Sequence, residues 1–447
     1  MKLRLLKIYD ILSDSFWFLP TVMAILAIVA ALFSVRIDIN IGEGWVHSIN
    51  WIWSGGPDGA RSVLSIVAGS LMTVTSIVFS LTITTLAQTS SHFGPRILRN
   101  FTSDRGVQFT LGTFIATFVY CLLVLRTVRS VEETMFVPYL SVNIGLGLTL
   151  ASLAILIYFI HHVAQMIQVE NLIAVIGQDF QNMLPTFFPA SDIKIHSDQT
   201  LPNDDYWQNA AAIDATNTGY LQQTDVEQLT YLATQHNLQL KIMHRPGDFL
   251  SNGTPLMQAM PPEHVTSEIK SALRECFSFG NNHTPLQDPL FLMQQLVEIA
   301  AHALSPGINE PFTAQGCIVW LGAALRGIAK RDVLPAMRYD EKGKWRVLAD
   351  PLDFNEFVHA AFDQIRLYGA NNPAVMISLI NTITSLAPDL HRTTDRAVMM
   401  QHLQLIRADI IQILNLPDRE RVIEKLQGAQ RALAAPGSST TPKSEYE

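Results

Sequence analysis

The chain is 447 residues long, more than one typical domain, with 48% hydrophobic and only 16% charged residues. Its formal net charge of -8, with no long basic run, argues against nucleic acid as the main partner. The 3 cysteines, Cys121, Cys276 and Cys317, have no CxxC spacing, so neither a disulfide framework nor a zinc cluster is indicated.

Mean hydropathy is +0.21, and the apolar residues concentrate near the N-terminus. This predicts a membrane half followed by a soluble half. Four runs reach the roughly 20 apolar residues that a bilayer crossing needs. They are 16–35, 62–87, 107–125 and 138–160. Trp17, Trp45, Trp51, Trp53, Tyr120, Tyr139 and Tyr158 lie near their ends, where an aromatic belt belongs. The first run is too long for a signal-peptide core and lacks a convincing cleavage motif. The spans hold no obvious Asp or Glu, which disfavours proton-coupled transport.

The second run carries the most informative pattern. Ser65, Gly69, Thr73, Ser76, Ser80, Thr84 and Gln88 recur in steps of three and four, which puts them on one helix face. A small, hydroxyl-bearing stripe through a membrane helix wants something other than lipid against it. Either another helix packs there or water fills a path there, and in an oligomer one helix can do both.

Lys2, Arg4 and Lys7 precede the first span, and Arg96, Arg99 and Arg105 fall between the second and third. That bias predicts a cytosolic N-terminus. With four spans the remainder is then cytosolic too, which suits reduced cysteines. Between spans two and three, Phe93, Ile97, Leu98 and Phe101 share a helical face, after Pro95 in a first turn. The segment reads as an interfacial helix with snorkelling arginines, or as a cationic ring at the inner mouth of a pore.

A helical connector is expected over 163–186, continuing the fourth span. A small α/β or β-barrel-like module follows at 187–260, with strands at 211–215 and 238–243. A short helix, 225–236, is capped by Thr224 or Asp225. Gly247-Asp248-Phe249-Leu250 and Gly253 read as turns needing positive φ. The string is similar to one in biotinyl-type barrels, but Lys241 precedes it and no carrier hairpin follows. From Pro261 to about 435 the pattern is helical, with helices at 267–277, 289–304, 312–331, 353–368, 374–386 and 394–414, before a disordered tail at 436–447.

Glu298 and His302, four apart on one helix, have a spacing that can hold a metal. His161, His162, Asp288 and Glu310 are further possible ligands. An ion pair or helix contact explains the pair equally, and no metal or cofactor is assigned. No HExxH, P-loop or GxSxG is present, so no enzyme is expected. In the run Ala303–Ala314, Ser305-Pro306-Gly307 ends one helix, Asn309 or Glu310 can cap the next, and Pro311 sits in its first turn.

That run resembles the ALSPGINDPFTA signature of a bacterial family of predicted membrane proteins, the domain of unknown function 2254. The resemblance extends to Phe93-Gly94-Pro95-Arg96, Gly219-Tyr220-Leu221, Gly247-Asp248-Phe249 and Thr284…Gln287-Asp288. This chain departs from the pattern at Glu310, where Asp is usual, and at His283 and His302, where Arg is common. The resemblance implies an inner-membrane protein with four spans and a cytosolic domain, and it supplies no activity.

The expected fold class is therefore an α-helical membrane protein with a cytosolic α+β part. The expected role is a homo-oligomeric inner-membrane channel or channel-like conduit passing a small ion, with the cytosolic half assembling or gating it. The alternative is a non-conducting membrane-anchored scaffold or sensor that binds a protein or small ligand.

Overall fold

The structure, a computed structural model, describes residues 15–41, 55–93, 101, 104–129, 136–188, 202–332 and 335–435. The chain divides into two compact units, 1–168 and 169–447.

The first unit is an antiparallel set of four long helices: α1 (Phe18–Ile41), α2 (Pro57–Phe93), α3 (Arg105–Thr127) and α4 (Tyr139–Met166). At 1.5 Å per residue α2 extends about 55 Å, well beyond a hydrocarbon core of about 30 Å. Helix α3 is the centre, packed by α1, α2 and α4, and 61% of its most apolar window is buried. Ala27, Ala31, Ala60, Leu64, Tyr120, Cys121 and Val142 form the core around it, the alanines letting backbones approach closely. The outer faces of α1 and α4 expose Leu26, Val29, Leu32, Phe33, Leu150, Leu153 and Ile157. Water would not tolerate that surface, and lipid solvates it.

Two helix ends differ from the sequence reading. Helix α1 runs past Val35 to Ile41, which carries Asp38 into the bundle, 6% exposed. Asp38 lies beyond the apolar run, near the C-terminal end of α1. Helix α4 stops at Met166 rather than continuing as a connector. The next helix, α5 (Val169–Phe187), belongs to the second unit. The interfacial segment with Pro95, Ile97 and Leu98 lies outside the described residues, as does the tail.

The second unit joins an α/β layer to a helical bundle. One sheet has the order β1-β5-β3-β8-β7, from strands Ala211–Asp214, Pro255–Met260, Gln239–Ile242, Trp345–Leu348 and Met337–Tyr339. A second has the order β4-β2-β6, from Phe249–Leu250, Gly219–Thr224 and Phe277–Gly280. Two short helices lie among the strands before β6: α6 (Val226–Gln235), capped by the Asp225 carboxylate, and α7 (Ser267–Arg274). Strands β6, β7 and β8 come from the region expected to be helical throughout. Strand β8 reaches the sheet by pairing parallel to β3, Leu240 opposite Val347. Both residues are fully buried in one core with Ile213, Leu221, Leu229 and Met257.

The bundle comprises α8 (Pro289–Ala303), α9 (Pro311–Ala329), α10 (Phe354–Tyr368), α11 (Pro373–Leu386), α12 (Thr393–Asp409) and α13 (Leu416–Ala434). Helix α9 is its axis, packed by α5, α8, α10 and α11. The approach of α5 is close. A Cβ on Gly177 would come within 2.2 Å of the Trp320 ring, so only glycine admits that indole. Helix α9 is also apolar enough, with mean hydropathy 1.2 over its best window, to count as a possible crossing. Among the described residues, length and composition thus give five candidate crossings where the sequence reading gave four.

Candidate functional site

Helix α2 turns Ala60, Leu64, Ala68, Leu71, Val78, Thr82, Thr85 and Thr89 inward, all buried. At 100° per residue these centre on one side of the helix. Ser65, Gly69, Thr73, Ser76, Ser80, Thr84 and Gln88 centre roughly opposite, and every one of them is exposed. A Cβ on Gly69 would meet nothing within 4 Å. The stripe therefore packs on no other helix of its own chain among the described residues. Three of its hydroxyls bond back to their own helix. Thr73 Oγ1 donates to the Gly69 carbonyl at 3.2 Å, Ser76 Oγ to Met72 at 2.9 Å and Thr84 Oγ1 to Ser80 at 2.9 Å. Such back-bonding leaves each oxygen's lone pairs available to a second partner, a neighbouring helix or water.

Of the arginines expected at the inner mouth, Arg105 is the exposed first residue of α3, while Arg96 and Arg99 lie outside the described residues. Beside Arg105, Asp104 caps α3 through the Val107 N–H at 2.8 Å and bonds His162 Nε2 at 2.9 Å. His162 stacks on Tyr158, whereas His161 is exposed and meets Gln165 one turn on, at 3.1 Å.

The short motifs scattered over 219–288 converge on the second sheet of unit two. Tyr220 lies parallel to His283, ring centroids 5.4 Å apart, and edge-on to Phe249. His283 Nε2 is 2.6 Å from Asp288 Oδ2, and the other Asp288 oxygen accepts the Leu290 N–H at 2.9 Å as the N-cap of α8. Gln287 Oε1 accepts the Thr224 N–H at 2.8 Å. Gly247, at φ +106°, lies against the pair: a Cβ there would sit 2.6 Å from Asp288 Oδ2 and 3.1 Å from His283 Nε2. Each of these side chains is occupied by its neighbours. The cluster is a clasp between the sheet and α8, and an arginine at 283 would meet the same carboxylate.

The predicted turns are present, with Gly253 at φ +87°. The strands form two sheets rather than a carrier-type barrel. Lys241 holds its ammonium over the Trp207 ring at 5.9 Å and 3.3 Å from Asp204, on a strand and not at a hairpin tip.

At the other end of α8, Ser305–Pro311 form the corner into α9. The Ser305 carbonyl accepts from the Ile308 and Asn309 N–H groups at 3.1 and 2.9 Å. Asn309 takes φ +51°, a left-handed conformation that asparagine tolerates well. Glu310 stands at the N-cap position, its N–H on the Ala303 carbonyl at 2.8 Å, without a side-chain cap bond. Pro306 and Gly307 are exposed, so the corner is a turn at the surface. Glu298 Oε2 and His302 Nδ1 are sealed from solvent along α8. Asp288 is taken by its clasp. Among the described residues none of His161, His162, Asp288, Glu298, His302 or Glu310 belongs to a close group of three metal-capable ligands.

Arg245 ties the α/β layer to the bundle. Its guanidinium is bidentate on Glu356 at 2.7 and 3.0 Å, and Glu356 is also the fourth residue of a capping box with Asp353 on α10. Burial pushes the Glu356 carboxyl up, but the Arg245 hydrogen bonds, the Asp353 N–H and the Arg245 charge together outweigh it and hold the group below its usual range. A carboxylate depressed in the folded state adds stability that is complete above its unfolded value and is lost as pH falls through the folded one. Acid unfolding of the wild type should therefore be steeper below about pH 4.5 than that of Glu356→Gln. Circular-dichroism melts at pH 3 to 6 check this, and parallel curves would refute it.

A profile described as "Predicted membrane protein (DUF2254)" matches residues 13–385. Two uncharacterized proteins, one from Mycobacterium bovis and one from Mycobacterium tuberculosis, are each 28% identical over 455 aligned residues, covering 98% of this chain and 84% of theirs. No solved structure matches the chain. With most of its length inside that profile, the chain belongs to the DUF2254 family of predicted membrane proteins.

Proposed function

We propose that the protein is a homo-oligomeric channel or channel-like conduit of the bacterial inner membrane. Four helices, α1 to α4, cross the bilayer with both termini in the cytosol, and α9 stays in the core of a cytosolic unit that assembles or gates the path. One observation carries the reading: the whole stripe from Ser65 to Gln88 is exposed opposite the buried face of α2. The outer faces of α1 and α4 are clothed in large aliphatic side chains, as lipid contact favours. Copies of the chain that bring their α2 stripes together would bury the glycine and serine positions and leave hydroxyls along a hydrated axis. Arg96, Arg99 and Arg105 would stand at its inner mouth and concentrate small anions.

The test is thiol accessibility. Gly69→Cys, Thr73→Cys, Ser76→Cys and Ser80→Cys variants are expected to react with membrane-impermeant thiol reagents in native vesicles. Background is low, because the native cysteines are buried and burial pushes the Cys276 thiol up to about 12. Protected thiols that cross-link between copies would replace the conduit with a dry interface. Protected thiols that do not cross-link would remove the oligomer as well.

The non-conducting scaffold or sensor keeps one supporting feature. A groove of about 420 Å³ between α9 and α11 offers Gln315, Ser378 and Asn381 to a small polar ligand.

A further inference from the structure

We propose that His359, Asp363 and His402 form a binding site for a divalent transition-metal ion, Zn²⁺ foremost, in the helical bundle of the second unit. His359 and Asp363 are one turn apart on α10, and His402 comes from α12. His359 Nδ1 is 2.9 Å from Asp363 Oδ2, and His402 Nε2 is 3.2 Å from Asp363 Oδ1. The imidazole rings stand 4.8 Å apart at 61°, and one ligand atom from each of the three residues lies within 4.8 Å of the others. An ion about 2.0–2.2 Å from each ligand sets tetrahedral neighbours roughly 3.3–3.6 Å apart, close to the two His–Asp contacts, and the imidazole nitrogens, within 4.8 Å, lie in reach of the same ion. Two imidazoles with one carboxylate suit a borderline ion such as Zn²⁺ and leave a fourth position for water or a ligand.

The surroundings suit a site rather than a chance contact. His402 is 0% exposed, walled by Phe362, whereas the side chains of His359 and Asp363 are 34% and 37% exposed and open a route for the ion. The helices are fixed from behind by Phe357, Val358, Phe362, Met399, Leu403 and Ile406. Preorganised rotamers of this kind are what a metal site requires. His402 Nδ1 is buried and has no hydrogen-bond partner among the described residues. A proton on Nδ1 leaves the Nε2 lone pair for the metal.

The experiment uses tag-free, full-length protein in detergent, stripped with chelator and titrated with Zn²⁺. Bound metal is counted by mass spectrometry, and Co²⁺ substitution is followed by visible absorption. Wild type should hold one ion per chain, with tetrahedral Co²⁺ bands. His359→Ala, on the open side of the site, and His402→Ala should each weaken binding by roughly 100-fold or more, since outer partners of a metal ligand alone cost 10–100-fold. His264→Ala, an exposed control, should not change it. No uptake by wild type, or uptake that His359→Ala leaves unchanged, overturns the proposal. Should His402→Ala fail to fold, Asp363→Asn and His359→Ala decide the matter.

Discussion

The Ser76→Leu, Ser80→Leu double variant is expected to abolish ion flux through purified protein in liposomes, with the oligomer intact by size-exclusion chromatography. Both positions lie in the middle of the outward stripe and within about 40° of each other around α2. Neither is buried in its own chain, so leucine there does not disturb the packing of the four helices. The loss would come from the path itself. Two leucines per copy, repeated around an axis, form an apolar constriction that expels water, and a dewetted segment stops conduction without blocking it sterically. The matched control is Ile77→Leu on the same helix, an exposed aliphatic position where leucine changes little. Flux that persists in the double variant would remove α2 from the path. In asymmetric salt, the reversal potential should shift toward the value for non-selectivity when Arg105 becomes Gln, and an unchanged potential would remove the arginines from the mouth.

How legible was this architecture beforehand? Features carried by local spacing were. The α2 stripe follows from steps of three and four, and the structure puts it on the face opposite the core, as a stripe that does not belong to the core should be. The strands 211–214 and 239–242, the Asp225 cap, the positive-φ glycines 247 and 253, and the 303–311 corner are likewise local, and chain-neighbour chemistry specifies them. What spacing does not carry is pairing across the chain. His359 and Asp363 form an i,i+4 pair of the same kind as Glu298 and His302. Only the fold decides that the first pair meets a third ligand, His402, 39 positions beyond Asp363. The β7–β8 hairpin joins a sheet whose other strands end at residue 260, and a four-residue strand has too little pattern to stand out among helices. The convergence of Tyr220, Gly247, His283 and Asp288 was visible as scattered fragments, and their common purpose as a clasp required the sheet.

Asp38→Ala is expected to destabilise the membrane unit by about 3–5 kcal/mol, the largest structural effect among single substitutions there. The reason is a helix end capped from another helix. Helix α4 begins after Pro138, which offers no side-chain cap. Its Leu140 and Ser141 N–H groups instead reach the two Asp38 oxygens, each at 2.9 Å, and the Ser141 hydroxyl donates to Asp38 at 2.6 Å. The same serine connects through Ser34 to the Tyr120 hydroxyl, 2.9 Å on each step, so three helices share one buried polar network. A carboxylate away from water is tolerable here because the positive end of the α4 dipole and three donors surround it. Alanine would leave two buried N–H groups unsatisfied while keeping the desolvation already incurred. Asparagine keeps one acceptor oxygen and should cost about half as much. At roughly 2–4 °C per kcal/mol for a unit of this size, the apparent melting temperature in detergent should fall by on the order of 10 °C for alanine. Ser34→Ala, which removes a neutral hydroxyl that links Ser141 to Tyr120 and leaves the Asp38 contacts in place, should cost about 1 kcal/mol. Equal melting of wild type and Asp38→Ala would mean that water reaches these groups, and the helix end would then be a solvated terminus rather than a closed one.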